Sequence, residues 1–273
     1  MTEELVITPG GTALRYWRDL WRYRELFYLL AWRDLLIRYR QTVVGVLWSV
    51  IRPVLAMLVL TVVFGRIGQM PSAGVPYPLL VFCGMLPWQF FATALSESGG
   101  SLLVNSHLIS KVYFPRLVVP ASSVITSLAD FGVSAVILTA LMLWYGFAPP
   151  WSVVFLPVWV VLAFAASLGA GLWLAALMVK YRDVRFIIPF IVQFGLYISP
   201  VGFVSSAVPA EYRMLYFLNP MVAIIDGVRW SVLGGQHVLY APGLIVSVTM
   251  TVLLAFTGLW FFRKTEREFA DVI

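Results

Sequence analysis

The chain has 273 residues, of which 61% are hydrophobic and 12% charged. A soluble domain carries charge on about a quarter of its positions, so the solvent for most of this chain is lipid. The net charge of +6 does not point to nucleic acid, because a chain held almost wholly in membrane offers no groove to a duplex, and basic loops set topology instead. The single cysteine, Cys83, lies in an apolar run, which excludes a disulfide framework or a cysteine metal cluster within one chain.

In chain order, the first forty residues hold arginines and tryptophans but no short apolar core followed by a small-residue cleavage site, so no removable signal is expected. Residues 13–24 set Leu14, Trp17 and Trp21 on one helical face and Arg15, Arg18 and Arg22 on the other, the pattern of an amphipathic helix lying in the membrane interface. Six apolar runs follow, at 42–64, 76–95, 117–145, 151–179, 186–208 and 239–262. Lipid leaves a spanning backbone only helices or closed barrels, and strand-like alternation is absent, so the expectation is an all-α membrane protein with six transmembrane helices. Pro53 and Pro87 fall inside the first two and should kink or unwind them. The chain reads as one domain over 1–273: a cytoplasmic and interfacial segment at 1–41, a membrane domain at 42–262 and a tail at 263–273.

Between the runs, residues 96–116 have room for a helix of their own and end in Lys111-Val-Tyr-Phe-Pro-Arg116, a mixture of aromatic and basic side chains suited to a soluble partner. Residues 209–236 are too polar and broken to span. They read as two short re-entrant helices outside the membrane, with Asn219 as N-cap and Pro220 at the first helical position. In the fourth run Ser167 and Gly171 have small-xxx-small spacing, which serves either tight packing within the subunit or a dimer contact.

Charge sets the orientation. With the N-terminus in the cytoplasm, that side holds the seven arginines before the first run, Lys111, Arg116, Lys180, Arg182, Arg185, Arg263, Lys264 and Arg267, and the other side only Arg66, Arg213 and Arg229. The positive-inside rule therefore places both termini inside.

Catalytic chemistry has little to work with. His107 and His237 fall on opposite sides, so no metal site is expected from them, and no G-x-x-x-x-G-K-[ST] run cradles a phosphate. No cofactor is expected on this chain, and if ATP drives it, another protein hydrolyses the ATP. Asp130 and Arg52 lie inside runs, with Glu97 at an edge. Asp130 is either a proton relay or a structural carboxylate facing the bundle; Arg52 meets a lipid phosphate, pairs within the protein or snorkels to the interface. Trp48, Trp88, Phe90, Phe91, Phe194 and Tyr197 either line an interior passage, where aromatic faces suit the C–H faces of sugars, or pack in the core.

The stretch from Arg33 to Pro53, RDLLIRYRQTVVGVLWSVIRP, resembles the membrane subunits of ABC exporters for O-antigen, teichoic acid and related polysaccharides, and capsule exporters share the plan. Further matches follow in order: PYPLL from Pro76, GMLPWQFF from Gly84, KVYFPR from Lys111, KYRDVR from Lys180, NPM from Asn219 with Arg229 after it, and the terminal FADVI from Phe269. The resemblance implies an ABC-2 type permease in the bacterial inner membrane. It would form a homodimeric channel for a lipid-linked polysaccharide, driven by two cytoplasmic ATPase subunits that bind ATP and Mg. By the same resemblance Lys111, Tyr113, Phe114, Pro115 and Arg116 belong to the coupling and gating region. Arg33, Asp34, Arg38, Tyr39 and Arg40 would stand with Tyr181, Arg182, Asp183 and Arg185 at the cytoplasmic entrance, and Asn219, Pro220 and Arg229 at the outer exit.

Two other classes stay open on residues alone. A membrane glycan-lipid transferase would need clustered acids or a metal pair facing the cytoplasm, whereas Asp19, Asp34 and Asp183 are scattered among arginines. A permease for a drug or another lipid is allowed by topology alone, and the polysaccharide-type strings argue against it.

Overall fold

The computed structural model describes residues 18, 20–40, 43–72, 74–112, 114–234, 239–266 and 269, the side chains of 39, 40 and 43–46 excepted, and all regular structure among them is helical. Half of the interface helix expected at 13–24 lies outside the described residues; Trp21, on its apolar face, is 72% exposed.

Helix α1 (Arg24–Arg40) is followed by α2 (Val43–Leu60), which runs on as a π-helical turn over Thr61–Ile67. Next come α3 (Tyr77–Val104), the short α4 (Ser106–Lys111) and α5 (Val118–Trp144). A 3-10 turn at Trp151–Phe155 leads into α6 (Leu156–Lys180), and α7 covers Val184–Ile198. The chain then forms α8 (Ala210–Tyr216), α9 (Pro220–Leu233) and α10 (Ala241–Thr265). Helices α2 and α3 continue through Pro53 and Pro87. The helix expected between 96 and 116 is α4, but it is shorter than the loop allows because α3 extends to Val104.

Among the described residues, five stretches are long and apolar enough to cross a membrane: Leu47–Ile67, Tyr77–Val104, Val118–Trp144, Trp151–Lys180 and Ala241–Thr265. The run at 186–208 departs from its expected boundaries. Its helix stops at Ile198 after 15 residues, about 22 Å at 1.5 Å per residue, short of a hydrocarbon core of about 30 Å. The cause is local: Pro200 has no backbone N–H to continue the ladder, and residues 199–204 turn inward and are largely buried.

Helix α3 is the axis of the bundle. Of its most apolar stretch, 78% is buried inside the protein, against 17% for the corresponding stretches ending in Ile67 and Thr265. It packs on α5, α6 and α9, while α10 lies along α6 and α1 along α5. The main core joins Phe82, Leu86 and Phe90 of α3 to Val124 of α5, Trp159 and Ala163 of α6, and Ile225 and Val228 of α9. A second core sits at the end of the bundle that carries Arg116 and Lys264, called here the basic end. It gathers Leu30, Ile109, Phe114, Val118, Val179, Phe262 and Phe269 from seven parts of the chain.

Close helix contacts explain the small residues of the fourth run. A Cβ on Gly169 would stand 2.6 Å from the Cα of Ala255, and one on Gly258 would collide with the carbonyl of Gly169, so α6 and α10 touch backbone to backbone. Gly171 faces Ser98 of α3 in the same way. Of the two uses open to this stripe, packing within the subunit is the one realised here.

Candidate functional site

At the basic end, the segment Lys111–Arg116 joins α4 to α5. Lys111 and Val112 are exposed, Phe114 and Pro115 are buried, Arg116 is half-buried, and Tyr113 lies outside the described residues. The backbone N–H of Arg116 donates to Glu266 Oε1 at 2.8 Å, and its guanidinium donates to the Glu266 carbonyl. The Arg116 Cζ lies 5.9 Å from the centre of the Phe269 ring. Thus an exposed basic tip is mounted on a buried aromatic root.

Helix α1 approaches this segment from one side. Arg33 pairs with Asp34 at 2.7 Å and donates to Asn105 Oδ1 at 2.8 Å, where α3 gives way to α4. Arg38 donates to Asp130 Oδ2 at 2.5 Å and to Glu97 Oε1, so one arginine ties α1 to both α3 and α5. Asp130 therefore acts in the structure as a paired carboxylate facing the bundle. Charges inside membrane segments are expensive unless paired, and Arg38 supplies the pairing. The side chains of Tyr39 and Arg40 lie outside the description. Tyr181, Arg182 and Asp183, between α6 and α7, and Arg185, in the first turn of α7, are all exposed, with the Arg185 Cζ 4.7 Å from the Phe186 ring centre.

The six aromatic candidates fall into two groups. Trp88, Phe90 and Phe91 are buried in the main core, Phe90 edge-on to Phe131 with centroids 5.9 Å apart. Trp48, Phe194 and Tyr197 are 46%, 50% and 59% exposed. Trp88 links the groups, because it fills the space beside Gly195 of α7, where a Cβ would collide with its ring. Arg52 is exposed on α2, its Cζ 5.3 Å from the Trp48 ring centre.

At the opposite end, Asn219 caps α9, its Oδ1 accepting from the Met221 N–H at 3.0 Å, with Pro220 in the first turn. Its Nδ2 donates to Ser199 Oγ at 2.9 Å, which ties the cap to the break after α7. Arg229 is 1% exposed. It donates from Nε to the Leu80 carbonyl at 3.1 Å, from Nη1 to that of Phe203 at 2.7 Å, and from Nη2 to that of Val201 at 2.7 Å. The Tyr77 hydroxyl donates to the Gly202 carbonyl at 2.6 Å. Three successive carbonyls that left the helical ladder are thereby satisfied, as non-helical backbone in an apolar interior requires. Gly84 makes room: a Cβ there would lie 2.6 Å from Arg229 Nη2 and 2.8 Å from the Val201 carbonyl.

Sequence reasoning placed Arg229 at the outer side but missed that it is enclosed, and it missed the pairing of Arg38 with Glu97 and the hold of Glu266 and Phe269 on Arg116. A signal existed for the first, since Arg229 is embedded in an otherwise apolar helix with Asp226 three residues before it. For the last, the partners are separated by 150 positions.

A model of the ABC-2 type transporter family matches residues 25–233, from α1 to the end of α9. The O-antigen export system permease protein RfbA of Myxococcus xanthus is 30% identical over 262 residues, which cover 95% of this chain and 100% of that protein. A protein of the same description from Klebsiella pneumoniae is 25% identical, covering 91% and 95% of the two chains. The polysialic acid transport protein KpsM of Escherichia coli is 23% identical, covering 86% and 91%.

Proposed function

Because the chain belongs to the ABC-2 type transporter family, we propose that it is the membrane subunit of an ATP-driven exporter that carries a lipid-linked polysaccharide across the bacterial inner membrane. Two copies form the channel, and two cytoplasmic ATPase subunits, which bind ATP and Mg, drive it. The observation that carries this reading is similarity along nearly the whole chain to proteins described as O-antigen and polysialic acid transporters.

Both termini face the cytoplasm, so the basic end is the cytoplasmic end. There Lys111 and Arg116 meet the ATPase, and the exposed Tyr181, Arg182, Asp183 and Arg185 with Arg33, Asp34 and Arg38 frame the entrance. Arg52, exposed beside Trp48, is placed to meet the phosphate of the lipid carrier. The glycan slides over Trp48, Phe194 and Tyr197, whose open faces offer apolar contact without a single deep binding step. Trp88 supports the helix of Phe194 and Tyr197 from behind through its contact with Gly195. Asn219, Pro220 and Arg229 shape the exit by holding the broken backbone after α7.

Deleting the gene in its native host tests the reading. The expected outcome is lipid-linked polymer trapped in the cytoplasm with synthesis intact. Loss of polymer altogether would favour a membrane transferase, and an unchanged surface glycan another cargo. Arg116→Glu should leave a folded protein whose partner hydrolyses ATP without export; export at the parental rate would sink the coupling role of this segment.

A further inference from the structure

We infer that the carboxy-terminal tail, through Glu266 and Phe269, is the brace that sets the position of the Lys111–Arg116 segment and so governs how tightly ATP hydrolysis is tied to export. The inference rests on the reading of that segment as the coupling element.

Two helix ends meet here, and their charges are matched. Helix α5 begins at Val118 with no side-chain cap of its own, and the Glu266 carboxylate stands two residues ahead of it, accepting from the Arg116 N–H. An anion at a helix N-terminus complements the helix dipole. Helix α10 ends at Thr265, and its next carbonyl, that of Glu266, accepts from the Arg116 guanidinium. A cation at a helix C-terminus is favoured for the same reason, and both contacts are charge-assisted. Each residue thus caps the helix that the other adjoins.

Phe269 locks the pair. It is 1% exposed and stands edge-on to Phe262 with centroids 5.4 Å apart, and the Arg116 guanidinium lies 5.9 Å from its ring centre. It belongs to the same cluster as Leu30 of α1, Ile109 of α4 and Phe114 of the segment itself. Removing its ring would open a cavity in that cluster, leaving Arg116 without its apolar seat while the rest of the bundle keeps its main core. Phe269 and Glu266 are positioning residues: they act on the segment and touch neither glycan nor nucleotide in this reading.

The test uses the whole transporter, this chain with its ATPase partner, in vesicles containing the lipid-linked glycan, and reads ATP hydrolysed per glycan exported. For Phe269→Ala and Glu266→Ala that ratio should rise roughly tenfold, within the range over which positions along a coupling route act. Phe269→Leu, which refills the cluster, should restore most of the parental ratio. A parental ratio in both alanine variants would overturn the inference, and if Phe269→Ala does not assemble, Glu266→Ala alone decides it. Arg116→Glu measured alongside separates the two levels. If it too keeps the parental ratio, the coupling assignment falls; if it uncouples while both alanine variants do not, only the brace falls.

Discussion

Arg229 and Arg116 both donate to main-chain carbonyls, yet they do so in opposite surroundings. Arg229 is enclosed, and all three of its bonds go to backbone in α3 and in the stretch after α7. Arg116 stands half-buried at the basic end and shares its contacts with Glu266 and Phe269. An arginine with enclosed acceptors has no alternative partner, because water cannot replace it, and its removal strands the non-helical Val201 and Phe203 carbonyls, while that of Leu80 keeps its bond within α3. An arginine at a rim can exchange a protein acceptor for water at little cost. The first arrangement fixes a shape, and the second allows one to be shifted by a partner.

The difference can be broken from either side. Arg229→Met should give the largest loss of stability, about 2–6 kcal/mol at roughly 1–3 kcal/mol for each of two stranded carbonyls, read as a lower unfolding midpoint in detergent; a midpoint near the parental one would mean that the break after α7 holds itself. Gly84→Ala presses on the same cluster from α3 and should cost about 1–3 kcal/mol, the usual range for overpacking, checked in the same way. Asn219→Ala removes the α9 cap and the bond to Ser199, at about 1 kcal/mol, whereas Asn219→Asp keeps the cap and should lose less. Smallest in stability is Glu266→Ala, expected within about 1 kcal/mol of the parent because its partner sits at a rim, although its effect on ATP per glycan should be large. A midpoint drop equal to that of Arg229→Met would erase the contrast.

Hydropathy made most of the spanning stretches legible, since an apolar run long enough to cross has few other uses. The end of α7 was not legible, because Pro200, Val201, Gly202, Phe203 and Val204 are as apolar or small as a span and hydropathy is blind to whether their carbonyls stay in a ladder. Asn219 and Pro220 were readable as a cap because capping is decided within three residues. Arg229 was counted as a topological charge on the outer side, which an arginine usually is, whereas its role depends on acceptors from two distant parts of the chain. The exposed aromatics and basic loops came from local composition; the tie of Arg38 to Glu97 and Asp130, and of Arg116 to Glu266, needed the packing of helices remote in sequence.

The glycine crossing of α6 and α10 has a mechanical side. Two rods of 25 residues each, touching at Gly169 and Gly258 and stacked again at Trp173 on Phe261 with centroids 4.0 Å apart, cannot slide past each other without collision, so they flex as a single beam. A thrust delivered to Glu266 would travel along that beam rather than dissipate in it.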